Sequence, residues 1–156
     1  MGHAGDVTSE KPLSNDALTV SASWAHLRKA SVGRLAVVVQ GQPDLFPVNF
    51  LVDHGTVVFR TATGTKLDAS VGRPVAFEAD GYEPATGEAW SVVVKGMARE
   101  VQELDEVIAA LELPLVPWHS ARKPRILRIE PESISGRRFK VRADRPSAAR
   151  PHTAPE

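Results

Sequence analysis

The chain of 156 residues contains no cysteine, and its acidic and basic side chains cancel. Without cysteine there is no disulfide, no thiolate metal site and no cysteine nucleophile. With 19 basic and 19 acidic residues the formal net charge is zero. The overall charge therefore does not indicate binding to nucleic acid or to an anionic membrane. We therefore expect neither as a partner.

Long apolar runs are also missing. No segment approaches the roughly 20 apolar residues that a bilayer-spanning helix needs. The polar N-terminus lacks the apolar centre of a signal peptide, and the absence of disulfides fits a reducing compartment. These features predict a cytoplasmic protein.

Both ends of the chain are poor in large apolar residues. Residues 1–20 are polar and show no periodicity, and residues 140–156 are rich in Pro, Ala and Arg. Such segments cannot bury enough apolar surface to offset chain entropy, so we expect a disordered N-terminal arm and a disordered C-terminal tail. Residues 21–139 then form a single folded domain.

Within this domain, short apolar segments separated by Gly, Pro and Asp predict β-strands. The predicted strands are 33–40, 45–52, 56–60, 74–80 and 89–102, with one or two more in 125–139. Gly41 and Pro43 predict a turn, residues 53–55 a tight hairpin connection and residues 81–88 a loop. Gly96 predicts a bulge or bend in a segment that is long for one strand. About six strands joined by short turns predict an antiparallel barrel or sandwich, and the missing βαβ alternation argues against a doubly wound fold.

The predicted helices are short. Ser23 is a candidate N-cap for a helix that ends at Ala30. A second helix is predicted from Thr65 to Val71, ended by Gly72, and an amphipathic helix is predicted in residues 103–111.

The segment FRTATGTKL, residues 59–67, concentrates hydrogen-bond donors at a strand-to-helix junction. Arg60 and Lys66 supply cations, Gly64 permits close backbone approach, and Thr61, Thr63 and Thr65 supply hydroxyls. These groups suit a phosphate, because charged donors and helix amides bind it well. The alternative interpretation is a solvated turn in which Thr65 caps the helix; Leu67 after Lys66 excludes a Walker A loop.

Other candidate chemistry is sparse. The five histidines show no metal-ligand spacing, so no metal site is predicted. His54 or His119 is conceivable as an axial haem ligand. Glu78 and Asp80 suggest acid–base chemistry, but their alternation with apolar neighbours is typical of a half-exposed strand.

The chain resembles the pyridoxamine 5'-phosphate oxidase-like flavoproteins, which have the FMN-binding split-barrel fold, and in particular their small bacterial branch. The segments that carry the resemblance keep the family order from Val32 to Phe139. They are VGRLAVVVQGQPDLFPVNFLV, VVFRTATGTKL, VAFEAD, WSVVVKGMARE and GRRF.

The resemblance implies a mainly β fold, a six-stranded antiparallel split β-barrel with a few short helices. It also implies a homodimer with FMN at the subunit interface. In the family, residues matching Pro47, Val48 and Asn49 run along the flavin ring. Residues matching Arg60 and Thr61 contact the cofactor, and those matching Thr65 and Lys66 hold its phosphate.

Two departures from the family pattern stand out. Ser91 occupies the place where a glutamine commonly meets the flavin. The region after Phe139 does not match the arginine-bearing segment that grips substrate in full pyridoxamine phosphate oxidases, so oxidation of vitamin B6 is not expected. Arg137 and Arg138 in GRRF either lie near the cofactor cleft or form a charged strand end.

These observations together predict an FMN-dependent oxidoreductase acting on a small molecule. No catalytic acid or base is assigned, because the flavin carries the redox chemistry. The alternative is a non-catalytic protein that binds a flavin, a deazaflavin or haem.

Overall fold

The computed structural model describes residues 16–62, 67–103, 105–106, 109 and 124–141. The α-helix α1 spans Val20–Lys29, and a 3-10 turn spans Asp68–Ser70. The strands are β1 Asp16–Leu18, β2 Val32–Val39, β3 Gln42–Asp53, β4 Thr56–Ala62, β5 Pro74–Glu83, β6 Glu88–Glu100 and β7 Pro124–Lys140.

Six antiparallel strands form a closed ring. Their order is β7-β4-β3-β2-β5-β6, and the ring closes because the long strand β7 pairs with β4 through its first half and with β6 along its length. Strand β1 adds to the second half of β7. The predicted split-barrel fold, mainly β with little helix, is confirmed.

Alternating apolar side chains fill the ring. In β5, Val75, Phe77 and Ala79 are buried while the residues between them are more exposed, as the sequence pattern predicts. Phe77 meets Phe50 of β3 edge to face, with 4.7 Å between ring centroids. Such aromatic contacts stabilise the centre of the ring beyond simple area burial.

Two tight hairpins connect the first strands. Gln40 and Gly41 link β2 to β3 with φ of 52° and 72°, and His54 and Gly55 link β3 to β4 with φ of 47° and 71°. Two consecutive positive φ angles are the signature of the type I′ turn, whose twist matches that of paired strands. The predicted turns at these positions are confirmed, although Pro43 lies within β3 rather than in the turn.

Helix α1 packs against the second half of β7 and buries Leu27 completely. It begins at Val20, because the Thr19 hydroxyl accepts a hydrogen bond from the backbone N–H of Ala22 at 3.1 Å. The predicted start at Ser23 is therefore wrong. Ser23 is buried inside the helix, where its hydroxyl donates to the carbonyl of Thr19 at 2.9 Å.

Residues 16–20 were assigned to a disordered arm, but they form β1 and the start of α1. The backbone pairing of β1 with β7 orders this segment, with Leu18 opposite Gly136. Lys140, assigned to the C-terminal tail, is the last residue of β7. Residues 1–15 and 142–156 lie outside the described part of the chain.

One other strand boundary differs from prediction. Strand β5 continues through Gly81 to Glu83, where a loop was expected, because it pairs with β6 to its end. Residues 125–139 form one strand, and the predicted bulge in β6 is confirmed by a register shift at Gly96. Of the helix predicted from Thr65 to Val71, residues 67–71 are described, and they form a 3-10 turn over Asp68–Ser70 in place of an α-helix. Within the helix predicted in 103–111, residues 105, 106 and 109 are helical, and the apolar positions lie outside the described residues.

Candidate functional site

The outer face at the junction of β3 and β4 carries several predicted cofactor residues. Backbone pairing between these strands ends at Phe50 and Phe59, whose side chains are buried in the core. Because side chains alternate, the next residues, Asn49 and Arg60, lie on the outer face, and both are half-buried. Pro47 is exposed on the same face. The register therefore places Asn49 and Arg60 beside each other where the two strands separate.

Two further predicted residues in these strands face the core. Val48 is 3% exposed and Thr61 is 5% exposed. Their side chains belong to the interior of the ring, so a ligand on the outer face would reach them through the backbone. The predicted set thus divides between the two faces of the sheet.

One hydrogen-bond donor of Arg60 has no acceptor among the described residues. Its Nε is buried and makes no hydrogen bond with any described residue. A buried donor without a partner costs free energy, on the order of 1–3 kcal/mol. An anion bound at this point would supply the missing acceptor. Thr65 and Lys66, the other predicted phosphate-binding residues, lie outside the described residues.

Arg125, Asp68 and Glu100 form an ionic cluster close to both ends of the segment 63–66. Arg125 lies opposite Thr61 in the register of β4 and β7. Its guanidinium contacts the carboxylate of Asp68, one residue after the described chain resumes, and that of Glu100 in β6. Arg125 was not predicted, since nothing in an isolated strand start marks it as a partner of two distant carboxylates.

Ser91 lines a separate groove on the outer face of β6, β7 and β1. The groove has a volume of about 850 Å³. In the strand register Arg137 lies between Ser91 and Ala17, and the hydroxyl of Ser135 also faces the groove. Arg137 makes no ion pair or hydrogen bond with another described residue. Of the two alternatives for GRRF, the structure therefore places Arg137 beside a predicted cofactor residue.

The two groups of residues do not meet within one chain. Asn49 and Arg60 lie on β3 and β4, whereas Ser91 lies on β6. Strands β3 and β6 are three positions apart in either direction round the ring. Strand β4, which carries Arg60, is two positions from β6, with β7 between them. Asn49 and Arg60 therefore do not line the groove that contains Ser91.

Between these groups, three charged side chains meet on β2 and β5. Arg34 Nη1 lies 3.3 Å from Asp80 Oδ2 and 3.7 Å from Glu78 Oε1. Burial and the neighbouring Asp80 raise the pKa of Glu78 to about 7, against a weaker opposing effect of Arg34. Glu78 is therefore partly protonated near neutral pH, while Asp80 is paired with the cation.

Of the two histidines considered as haem ligands, His54 is in the described part of the chain. The His54 side chain is 92% exposed in its hairpin, where Nδ1 lies 2.8 Å from Asp53 Oδ1. His119 lies outside the described residues. Within the described ranges, no group of three or more His, Asp or Glu side chains is arranged to hold a metal ion.

No helix in the described ranges is both long enough and apolar enough to cross a bilayer.

Comparison with known proteins identifies the family. A family model described as pyridoxamine 5'-phosphate oxidase matches residues 19–138. The structure of an FAD-binding protein from Mycobacterium smegmatis superposes with a TM-score of 0.74 at 36% identity, covering 81% of this chain and 99% of that one. The chain therefore belongs to the pyridoxamine 5'-phosphate oxidase family, as its sequence segments predicted.

Two further relatives extend the comparison. An uncharacterized protein of Mycobacterium tuberculosis is 36% identical over 113 residues, which cover 69% of this chain and 74% of the relative. The structure of an FAD-binding protein from Mesorhizobium loti has a TM-score of 0.70 at 21% identity, and covers 83% of this chain and 99% of that one. At that identity the likeness shows a shared fold.

Proposed function

We propose that the protein binds a flavin and acts as a flavin-dependent oxidoreductase on a small molecule. The family assignment and the FAD-binding relative at 36% identity support flavin as the ligand class. FMN, predicted from the sequence, and FAD, named for the relative, share the isoalloxazine ring and the phosphate next to the ribityl chain. The contacts that we propose are with this ring and this phosphate, which both cofactors contain.

The observation that carries the proposal is the buried Nε of Arg60, which makes no hydrogen bond within the described part of the chain. Its position at the separation of β3 and β4 puts a cation at one end of the outer surface formed by Pro47 and Asn49. A phosphate accepts charged hydrogen bonds from such a guanidinium, while the flat surface of β3 suits the ring. Thr65 and Lys66, a few residues further along the chain, are proposed to complete the phosphate site.

We also propose that the flavin lies between two copies of the chain. The Arg60 group and the Ser91 groove lie on strands of one ring that are not neighbours, so a second copy would bring both to one flavin. The outer face of β2 and β3 supports this arrangement, because it exposes apolar side chains. Val32 is 40% exposed, Val38 is 58% exposed and Leu45 is 60% exposed. Apolar surface of this kind is typical of subunit interfaces.

The residues of this chain would bind and orient the cofactor. Arg60 would neutralise the phosphate, and Pro47 with Asn49 would support the ring. Ser91 and Arg137 of a second copy would present a hydroxyl and a cation to its other side. The bound flavin would supply the electron-transfer chemistry. No acid or base from the chain is required by this assignment.

The experiment is the identification of whatever absorbs visible light in the purified protein. We expect the absorption bands of oxidised flavin, with FMN or FAD identified by mass spectrometry after denaturation, and a dimer by analytical ultracentrifugation. A protein purified without flavin and unable to bind added FMN or FAD would contradict the proposal, and a Soret band would favour haem. Oxidation of a reduced nicotinamide by the holoprotein separates an enzyme from a non-catalytic binder.

A further inference from the structure

The outer face of β5 carries two carboxyl groups, those of Glu78 and Asp80. Their side chains point outward, because the alternate residues Phe77 and Ala79 are buried in the core. In the register of β5 and β6, Asp80 lies opposite Ser91, which lines the groove. The carboxyl pair therefore borders the groove that contains one group of the proposed flavin contacts.

The same pair also borders the surface that we propose for the flavin ring. Arg34 of β2 lies opposite Glu78 on one side and opposite Pro47 of β3 on the other. Because neighbouring strands are about 4.8 Å apart, the backbone of Glu78 lies about 10 Å across the sheet from that of Pro47. A small molecule beside a ring on Pro47 would therefore lie within reach of the Glu78 side chain.

The carboxyl group of Glu78 lacks a hydrogen-bond donor. Its Oε1 is buried and accepts no hydrogen bond from a described residue. Arg34 Nη1 lies 3.7 Å from this oxygen, beyond hydrogen-bonding distance, and 3.3 Å from Asp80 Oδ2. An exposed ion pair accounts for Asp80, whereas a buried carboxylate oxygen without a donor costs free energy. The arrangement therefore favours a proton on Glu78.

The charges around Glu78 act in the same direction. Among the described residues, the charged side chains that face it are Arg34 from β2 and Asp80 from β5. Strand β6 contributes Val93 directly opposite, and the exposed Lys95 at the next outward position. Burial, followed by a hydrogen bond to Asp80 and its negative charge, raises the pKa of Glu78 to about 7, and Arg34 opposes the rise. A carboxyl group of this pKa can give up and regain a proton at neutral pH.

We propose that Glu78 donates a proton to the small molecule that the protein reduces, and that Asp80 and Arg34 adjust its acidity. This assignment rests on the proposed function. The flavin contacts need no acid from the chain, but two-electron reduction of an acceptor such as a quinone consumes one hydride and one proton. Reduced flavin is the source of the hydride. The O–H bond of Glu78 breaks as the proton forms a bond to the acceptor, and water then reprotonates the carboxylate.

The first test needs no cofactor. The glutamate carboxyl carbons of the full, 13C-labelled chain are followed by NMR between about pH 4 and 9, and the Glu78 signal is assigned by its loss in Glu78→Gln. We expect Glu78 to titrate near pH 7, at lower pH in Asp80→Asn and at higher pH in Arg34→Gln, because these variants remove opposite charges. Titration of Glu78 near its ordinary value of 4.5 would overturn this assignment alone.

The second test measures reoxidation of the prereduced holoprotein by stopped flow with two acceptors. Menadione takes up protons on reduction, whereas ferricyanide takes up electrons alone. Glu78→Gln should slow reoxidation by menadione by about tenfold or more and leave that by ferricyanide within about twofold. Glu83→Gln, which alters an exposed carboxylate at the end of the same strand, should change neither rate. Equal slowing with both acceptors, or an unchanged rate with menadione, would refute proton donation by Glu78.

The pH dependence of the menadione rate provides a further check. In wild type this rate should fall as the pH rises above about 7, where Glu78 loses its proton, and in Asp80→Asn the fall should begin at lower pH. A rate with the same pH dependence in both would contradict the assignment. A wild-type chain that binds no flavin would refute the proposed function and this assignment together.

Discussion

Replacing Arg125 by glutamine removes the cation that joins three parts of the chain. The guanidinium contacts Asp68 at the 3-10 turn and Glu100 at the end of β6, next to the proposed phosphate site. The side chains of Arg125, Asp68 and Glu100 are 24%, 20% and 21% exposed. Glutamine keeps much of the volume but leaves two nearby carboxylates without a counter-charge.

The exposure of the cluster sets the expected magnitude. Breaking a fully buried ion pair costs about 3–5 kcal/mol, and breaking an exposed one costs about 0–1 kcal/mol. With roughly four fifths of each side chain covered, we expect Arg125→Gln to lower the free energy of unfolding by about 2–3 kcal/mol. For a domain of this size that corresponds to a fall in Tm of about 6–10 °C.

Urea denaturation of wild type and variant measures this cost. Arg99→Gln is the matched control, because Arg99 also contacts two carboxylates, those of Glu106 and Glu130, but is 37% exposed. Its expected cost is below about 1 kcal/mol. Adding Glu100→Gln to Arg125→Gln should recover part of the loss, since one uncompensated carboxylate disappears. A loss below about 0.5 kcal/mol for Arg125→Gln, or an equal loss for Arg99→Gln, would refute the reasoning.

Three further predictions concern stability. Gly96→Ala should cost about 3 kcal/mol or more in urea denaturation, because a Cβ at the bulge collides with the carbonyl of Glu130; a cost under about 1 kcal/mol would mean that the bulge relaxes freely. Thr19→Ala should cost about 1 kcal/mol by removing the acceptor for the Ala22 N–H, and an unchanged Tm would show that this cap is dispensable. Glu78→Gln should change little at pH 4 and stabilise by about 1 kcal/mol at pH 8. The pKa of Glu78 is raised from 4.5 to about 7 in the folded protein, so ionisation destabilises the fold progressively between those values and fully above them, and partial exposure reduces the effect. Equal effects at both pH values in thermal denaturation would contradict the shifted titration.

Much of the fold follows from local patterns in the sequence. Alternating apolar residues predict β5, and the pair His54–Gly55 predicts the hairpin between β3 and β4. The loop predicted from Gly81 is wrong. Gly81 lies within β5, where the missing side chain leaves room for the Trp90 indole. Strand β1 was not predicted, because three residues are too few to show an alternating apolar pattern. Its extended conformation is stabilised by pairing with β7.

The candidate site was predictable in composition but not in geometry. The cluster of donors after Arg60 is visible in the sequence, and the resemblance adds Pro47, Asn49 and Ser91. The placement of these residues on strands that are not neighbours depends on strand order, which spacing alone does not encode. Arg125 and its two carboxylates were equally hidden, since they come together only when the ring closes.

The central claim is that Arg60 binds the phosphate of a flavin. Equilibrium fluorescence titrations of wild type and Arg60→Gln with FMN and with riboflavin, which lacks the phosphate, test it most directly. We predict that the substitution weakens FMN binding by about 1.5–3 kcal/mol and leaves riboflavin binding unchanged. Equal effects on both ligands, or no effect on FMN, would contradict the account.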